Sequence, residues 1–226
     1  RVKEAKQWNL RVGVEAEIEV NRQSVQARLD WSNPNLLGGL RRVEHLNAVG
    51  YAWAPSVFEP SNDGILIDSE LRVTQPQFLE RRTSLKSSIR FERDVYQGYD
   101  IITPSFRLGL VRPFGKWLSV ELSYNFSLNK LTEIDASLIE SDVFVEDYIL
   151  EYFEQRVRVD FRNEILNPKS GWMVELVLQE AMQIFWLGER DYFKPVISGE
   201  FYIPYVLGVN QVFAGRARLG STYSYG

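Results

Sequence analysis

The side chains that could do chemistry are few and badly matched to one another. His45 is the one histidine and there is no cysteine, so a histidine-based triad or a multi-histidine metal centre would need donors from a partner. The residues around His45 do not fix which face of its segment it occupies. Glu15, Glu17 and Glu19 recur at every second position, an arrangement that suits a metal or acid–base site. Aligned charges facing a water-filled lumen account for them more simply, and Arg11 in the same row fits that reading. No Gly-rich phosphate loop or nucleophile elbow occurs. The expectation is a protein that is not an enzyme and carries neither cofactor nor metal.

The elements that position these charges are long alternating segments. From Trp8 the even residues Trp8, Leu10, Val12, Val14, Ala16, Ile18 and Val20 are apolar, against Asn9, Arg11, Gly13, Glu15, Glu17 and Glu19. Val25, Ala27, Leu29 and Trp31 oppose Gln26, Arg28, Asp30 and Ser32. Leu118 to Leu128 repeats the pattern, as do Val157, Val159 and Phe161 against Arg156, Arg158, Asp160 and Arg162. Successive side chains of a strand point to opposite faces, so each segment is a strand with one greasy and one wet side. We read about eleven strands, several well above the ~5–6 residues usual in globular proteins. They fall at 7–20, 23–33, 41–54, 64–75, 82–93, 98–112, 116–130, 148–164, 172–181, 191–204 and 209–223. A tilted strand crosses a bilayer in roughly 9–11 residues, which these lengths meet and a soluble sandwich does not need. The charges Arg28, Asp30, Asp68, Glu70, Arg72, Arg156, Arg158, Asp160, Arg162, Arg216 and Arg218 are then expected inside, in cross-strand networks.

Connections and aromatics point the same way. Proline marks alternate turns at Pro34, Pro76, Pro113, Pro168 and Pro204, where its missing N–H belongs at strand ends. The other connections are expected to be mostly longer, at 55–63, 131–147 and 182–190, with 21–22 and 94–97 as short exceptions, giving one tight and one looped rim as in outer-membrane barrels. The acidic segment 132–147 hints at a short surface helix. Trp8, Trp31, Trp53, Trp117 and Trp172 fall near strand ends, where an interfacial belt sits; ordinary core aromatics would cluster mid-strand. A net charge of −4 without a basic stripe argues against nucleic acid as partner, and the lack of cysteine fits an oxidising envelope compartment.

At Val157–Trp172, VRVDFRNEILNPKSGW, the chain resembles the barrel signature of the BamA/TamA superfamily of outer-membrane assembly barrels. The matching residues are Asp160 and Arg162, then Pro168 and Gly171 in the turn. Asp30–Gly39 (DWSNPNLLGG), Leu71–Phe78 (LRVTQPQF) and Tyr202–Gly220 (YIPYVLGVNQVFAGRARLG) resemble further stretches of that barrel, in the same order. The Gly-Trp after the proline turn looks more like TamA than BamA.

The resemblance implies an all-β, antiparallel transmembrane barrel in the bacterial outer membrane, with about eleven of the family's sixteen strands present. Residues 1–6 would end a linker from a periplasmic POTRA region, and 7–226 would form barrel, stopping before the sixth extracellular loop. Function would be insertion or translocation of outer-membrane proteins. The first-strand edge would template a client strand along Leu10, Val12, Gly13, Val14 and Ala16. Partners would be client proteins, the lipid bilayer, and periplasmic or lipoprotein accessory subunits. A two-partner secretion transporter and a diffusion porin are the alternatives.

Overall fold

The computed structural model describes residues 8–135, 147–181, 188, 191–204 and 211–225. These form strands β1 (Asn9–Ile18), β2 (Gln23–Asn33), β3 (Arg42–Ala54), β4 (Asn62–Gln75), β5 (Ser84–Tyr96) and β6 (Tyr99–Phe114). There follow β7 (Leu118–Thr132), β8 (Tyr148–Asp160), β9 (Gly171–Ala181), β10 (Tyr192–Pro204), β11 (Val212–Gly220) and β12 (Tyr223–Ser224). The sheet order is β1 through β11 without a crossover, with β12 paired to β10. Ser221 N donates to Pro195 O (3.1 Å) between β11 and β12, so β12 continues the β11 ladder after a break. All eleven expected strands are present, and β2 has the expected bounds. The expected strand at 148–164 ends early, at Asp160, because Phe161–Ser170 folds into a turn.

By internal packing the chain divides into two units. One comprises Arg1–Pro76, Lys86–Leu108 and Asn125–Leu150; the other comprises Gln77–Leu85, Gly109–Tyr124 and Glu151–Gly226.

In the first unit, register converts sequence alternation into faces. Val12 lies opposite Leu29 and Val14 opposite Ala27; Ala27 in turn meets Val49, and Val49 meets Ile67. This apolar face is largely exposed, with Val12 76%, Val14 79% and Ile18 83% accessible. The buried residues are instead small or polar: Ser24, Ala48, Ala52, Ala54, Asp100 and Asn129, with Ala52, Leu66 and Val95 as a modest apolar cluster. A soluble fold hides its large apolar side chains, whereas an exposed apolar face of this extent marks a lipid or partner surface.

The second unit repeats the arrangement. Val157 opposes Leu176 and Val159 opposes Val174, while Ile197 and Gly199 continue that face on β10. Gly215 lies under the Phe201 ring, which occupies the space a Cβ would need, so the aromatic covers a backbone that has no side chain of its own. Trp117 stacks on Phe161 at 5.4 Å, and Phe161 meets Trp172 at 4.8 Å. This places both tryptophans at strand ends in one aromatic cluster, as an interfacial belt requires.

The expected contrast between tight and long rims is weaker than the prolines suggest. The proline-marked connections 34–41, 76–83 and 161–170 are at least as long as 55–61 on the opposite side, where 19–22 and 97–98 are the short exceptions expected there. Pro113 lies within β6 rather than after it, whereas Pro204 ends β10 as expected. The proline turns are compact because they are closed internally. Leu36 N donates to Arg41 O and Phe78 N to Thr83 O, both at 2.8 Å, and Leu37, Gly38, Gly39 and Leu40 all take positive φ. The suggested helix within 132–147 falls mostly on 136–146, outside the described residues, as do most of 182–190 and all of 205–210.

Candidate functional site

Two parts of the sheet gather the residues that the sequence singles out. The first is β1. Its sole neighbour among the described residues is β2, so its other edge presents N–H and C=O groups with no strand partner there. Leu10, Val12, Val14 and Ala16 share the apolar face and register with Trp31, Leu29, Ala27 and Val25. Gly13 sits midway with nothing within 4 Å of where a Cβ would stand. On the polar face Arg28 donates to Glu15 (3.0 Å), and Asp30 lies opposite Arg11. Ser24 Oγ donates to Glu17 (3.4 Å). On β4 and β5, Arg90 forks onto Asp68 at 2.7 and 3.1 Å. The wet face is thus a net of opposite charges rather than an isolated acid cluster. Among the described residues no group of three or more His, Asp or Glu is placed to hold a metal.

The second part is the turn after β8. Asp160 and Arg162 face each other in a fork: Arg162 Nε donates to Asp160 Oδ1 (2.9 Å) and Nη2 to Oδ2 (2.7 Å), while Arg162 N also donates to Oδ1 (3.1 Å). Arg158 adds a further donor at 3.0 Å. Arg162 Nη1 then reaches Glu200 on β10 (3.2 Å), and Glu200 meets Arg216 on β11 at 3.6 Å. The Arg162 side chain is 7% exposed. Its hydrogen bonds to Asp160 hold the guanidinium above its ordinary pKa, against the opposing effect of burial. Arg218 registers with Ser198 on the same face, and Arg156 donates to Glu154 (3.1 Å).

Gly171 turns the chain back into β9 with φ +100°, and a Cβ there would collide with the Phe161 carbonyl oxygen. Only glycine fits both demands. Pro168 sits inside the turn. Asn163 closes it: Oδ1 accepts from Lys169 N (2.9 Å) and Ser170 N (3.0 Å). A cleft of about 450 Å³ opens beside this turn, lined by Lys116, Trp117, Arg158, Asp160, Arg162 and Asn163 among others.

Several of these roles escape sequence reading. Glu200 lies far from Arg162 in sequence, and only the β9–β10 pairing brings it in. Asn163 could have been suspected, because Asn side chains commonly close turns on neighbouring amides. His45 belongs to the apolar face, opposite Trp31 and Leu71. Its Nε2 lies 3.3 Å from Ser69 Oγ, which donates to Asn47 Oδ1 (2.8 Å). These groups satisfy one another, and Asn47 Nδ2 donates to Leu29 O (3.2 Å).

An uninterrupted antiparallel sheet with an exposed apolar face and a charged opposite face is the wall of an outer-membrane β-barrel. The Omp85 superfamily domain matches residues 67–226, and the chain belongs to that superfamily, whose outer-membrane barrels insert or translocate proteins. The match starts within β4, so β1 lies outside it. The fold is similar to that of BamA from Haemophilus ducreyi lacking POTRA domains 1–3, with a TM-score of 0.71 at 16% identity. That likeness covers 99% of this chain and 42% of the BamA chain, so the present chain spans about two fifths of that structure. No curated protein matches in sequence.

Proposed function

We propose that this chain is barrel wall of a bacterial outer-membrane protein-assembly machine, in which β1 templates the strands of client proteins. The carrying observation is β1 itself: an exposed apolar face from Leu10 to Ile18, an unencumbered glycine at its centre, and β2 as its one strand neighbour among the described residues. Backbone groups of Leu10–Ala16 pair with an incoming strand, since main-chain hydrogen bonds supply affinity without demanding a particular sequence. The apolar face stays against lipid while the client joins. Residues 7–226 are barrel in this reading, and 1–6 end the linker from a periplasmic POTRA region. Client outer-membrane proteins, the bilayer, and periplasmic or lipoprotein accessory subunits are the partners. The Asp160–Arg162–Glu200 net, with Arg28, Arg156, Arg158, Arg216 and Arg218, lines the lumen and keeps the wall rigid while its first edge works.

The test is a photo-crosslinking residue at Val12, with one at Val174 on the apolar face of β9 as control. During client assembly, adducts form from Val12 and not from Val174. If Val12 gives none in a background where clients still fold, β1 is not the template.

A further inference from the structure

The turn between β1 and β2 carries a side chain that reaches well beyond its own hairpin. Arg22 stands at the end of the 19–22 turn, which Glu19 N closes by donating to Arg22 O (2.8 Å). Its Nη2 donates to Glu17 Oε2 on β1 (3.0 Å), and its Nη1 donates to Asp94 Oδ1 on β5 (2.6 Å). Strands β3 and β4 lie between β2 and β5 in the sheet order. The guanidinium therefore links strands that are not neighbours, whereas Arg28–Glu15 and Arg90–Asp68 join adjacent ones.

The strands between are lined by a row of small residues. Ser24, Ala52 and Gly64 are consecutive cross-strand partners, and Ala52 is fully buried. A Cβ at Gly64 would stand 3.2 Å from Val95 Cγ2 and 3.5 Å from Asp100 Oδ2, so this row stays small beneath side chains of β5 and β6. Asp94 is a fixed post: Oδ1 also accepts from Val95 N (3.1 Å) and Oδ2 from the Tyr96 hydroxyl (3.0 Å). The Arg22 and Asp94 side chains are 18% and 19% exposed, against 47% and 55% for Arg28 and Glu15. Screening that makes an exposed pair worth little acts less on this one.

We propose that Arg22 is a positioning residue that clasps the turn end of β1 to β5, so that the first-strand edge opens from its Trp8 end. Glu17 is the hook on the edge strand, Arg22 the arm and Asp94 the anchor. Nothing comparable joins Asn9 or Arg11, the polar-face residues near Trp8, to a strand beyond β2 among the described residues. The inference rests on the templating reading for its purpose: an incoming strand meets β1 first near Leu10 and pairs towards Ala16.

The experiment is amide hydrogen exchange on the whole protein in lipid nanodiscs, resolved along β1, together with the Val12 crosslink. Exchange in the parent falls from Leu10 towards Ile18. Arg22→Ala speeds exchange over Glu15–Ile18 about tenfold and leaves β9 and β10 unchanged; Arg22→Lys recovers part of the protection. Asp94→Asn does the same as Arg22→Ala, and serves alone if the alanine variant does not fold. A parent with no gradient, or a gradient that both variants leave intact, overturns the clasp. Normal Val12 adducts with an unaltered gradient remove the clasp and leave templating standing. Loss of protection in Arg22→Ala without client adducts in the parent keeps the clasp and removes templating.

Discussion

Replacing Arg162 by alanine removes the hub of the net after β8. It deletes two side-chain bonds to Asp160, at 2.9 and 2.7 Å, and one to Glu200 at 3.2 Å. Breaking a buried pair from one side costs about 3–5 kcal/mol, because the remaining charge stays desolvated. Here the carboxylates keep other donors: Asp160 retains Arg158 at 3.0 Å, and Glu200 retains the Tyr202 hydroxyl at 3.2 Å and Arg216 at 3.6 Å. With those left in place the expected loss is about 2–3 kcal/mol. Arg162→Lys keeps the charge but not the planar fork and should fall between the two. The assay is reversible urea unfolding of the protein from lipid vesicles, followed by tryptophan fluorescence, with Asp160→Asn and the double variant completing a cycle. Arg162→Ala within about 0.5 kcal/mol of the parent, the range of ordinary surface substitutions, refutes the hub argument.

Three further outcomes follow from backbone and face. Gly171→Ala forces a side chain into positive φ and against the Phe161 carbonyl; it should cost at least about 1–3 kcal/mol, read as a lower temperature for losing compact gel migration. Val49→Arg puts a charge at the centre of the apolar face of β3 and should cost about 2–4 kcal/mol on unfolding from lipid. Glu15→Gln, on the polar face in a half-exposed pair, should stay within about 1 kcal/mol.

How much was legible depended on whether a segment kept one polarity per face. β2 did so throughout, with Val25, Ala27, Leu29 and Trp31 on one side, and its bounds and orientation followed directly. β3 mixes His45 and Asn47 into its apolar row, so the face of His45 emerged only from its pairing with Trp31 and Leu71. Asp160, Arg162, Pro168 and Gly171 could be picked out as a group, since turn chemistry is local. Their partner Glu200 could not, because it is set by register two strands away. Arg22 was invisible for the same reason: a turn arginine looks like a solvated charge until Asp94, on a strand that does not neighbour its hairpin, is seen to accept from it. The rim lengths misled because proline marks a turn's entry and says nothing of how many residues close it.

Each neighbour in the order from β1 to β11 is also the next strand in the chain. Pairing therefore requires only the closing of short loops, whose entropy cost grows slowly with length, and never the meeting of distant segments. A ladder of that kind has low contact order for an all-β fold, and such topologies form faster than those dominated by remote pairings. It can zip one hairpin at a time, each new strand finding a finished edge to join. A wall with this strand order can be built by strand addition to an exposed edge, which is the same act that β1 is proposed to perform on its clients.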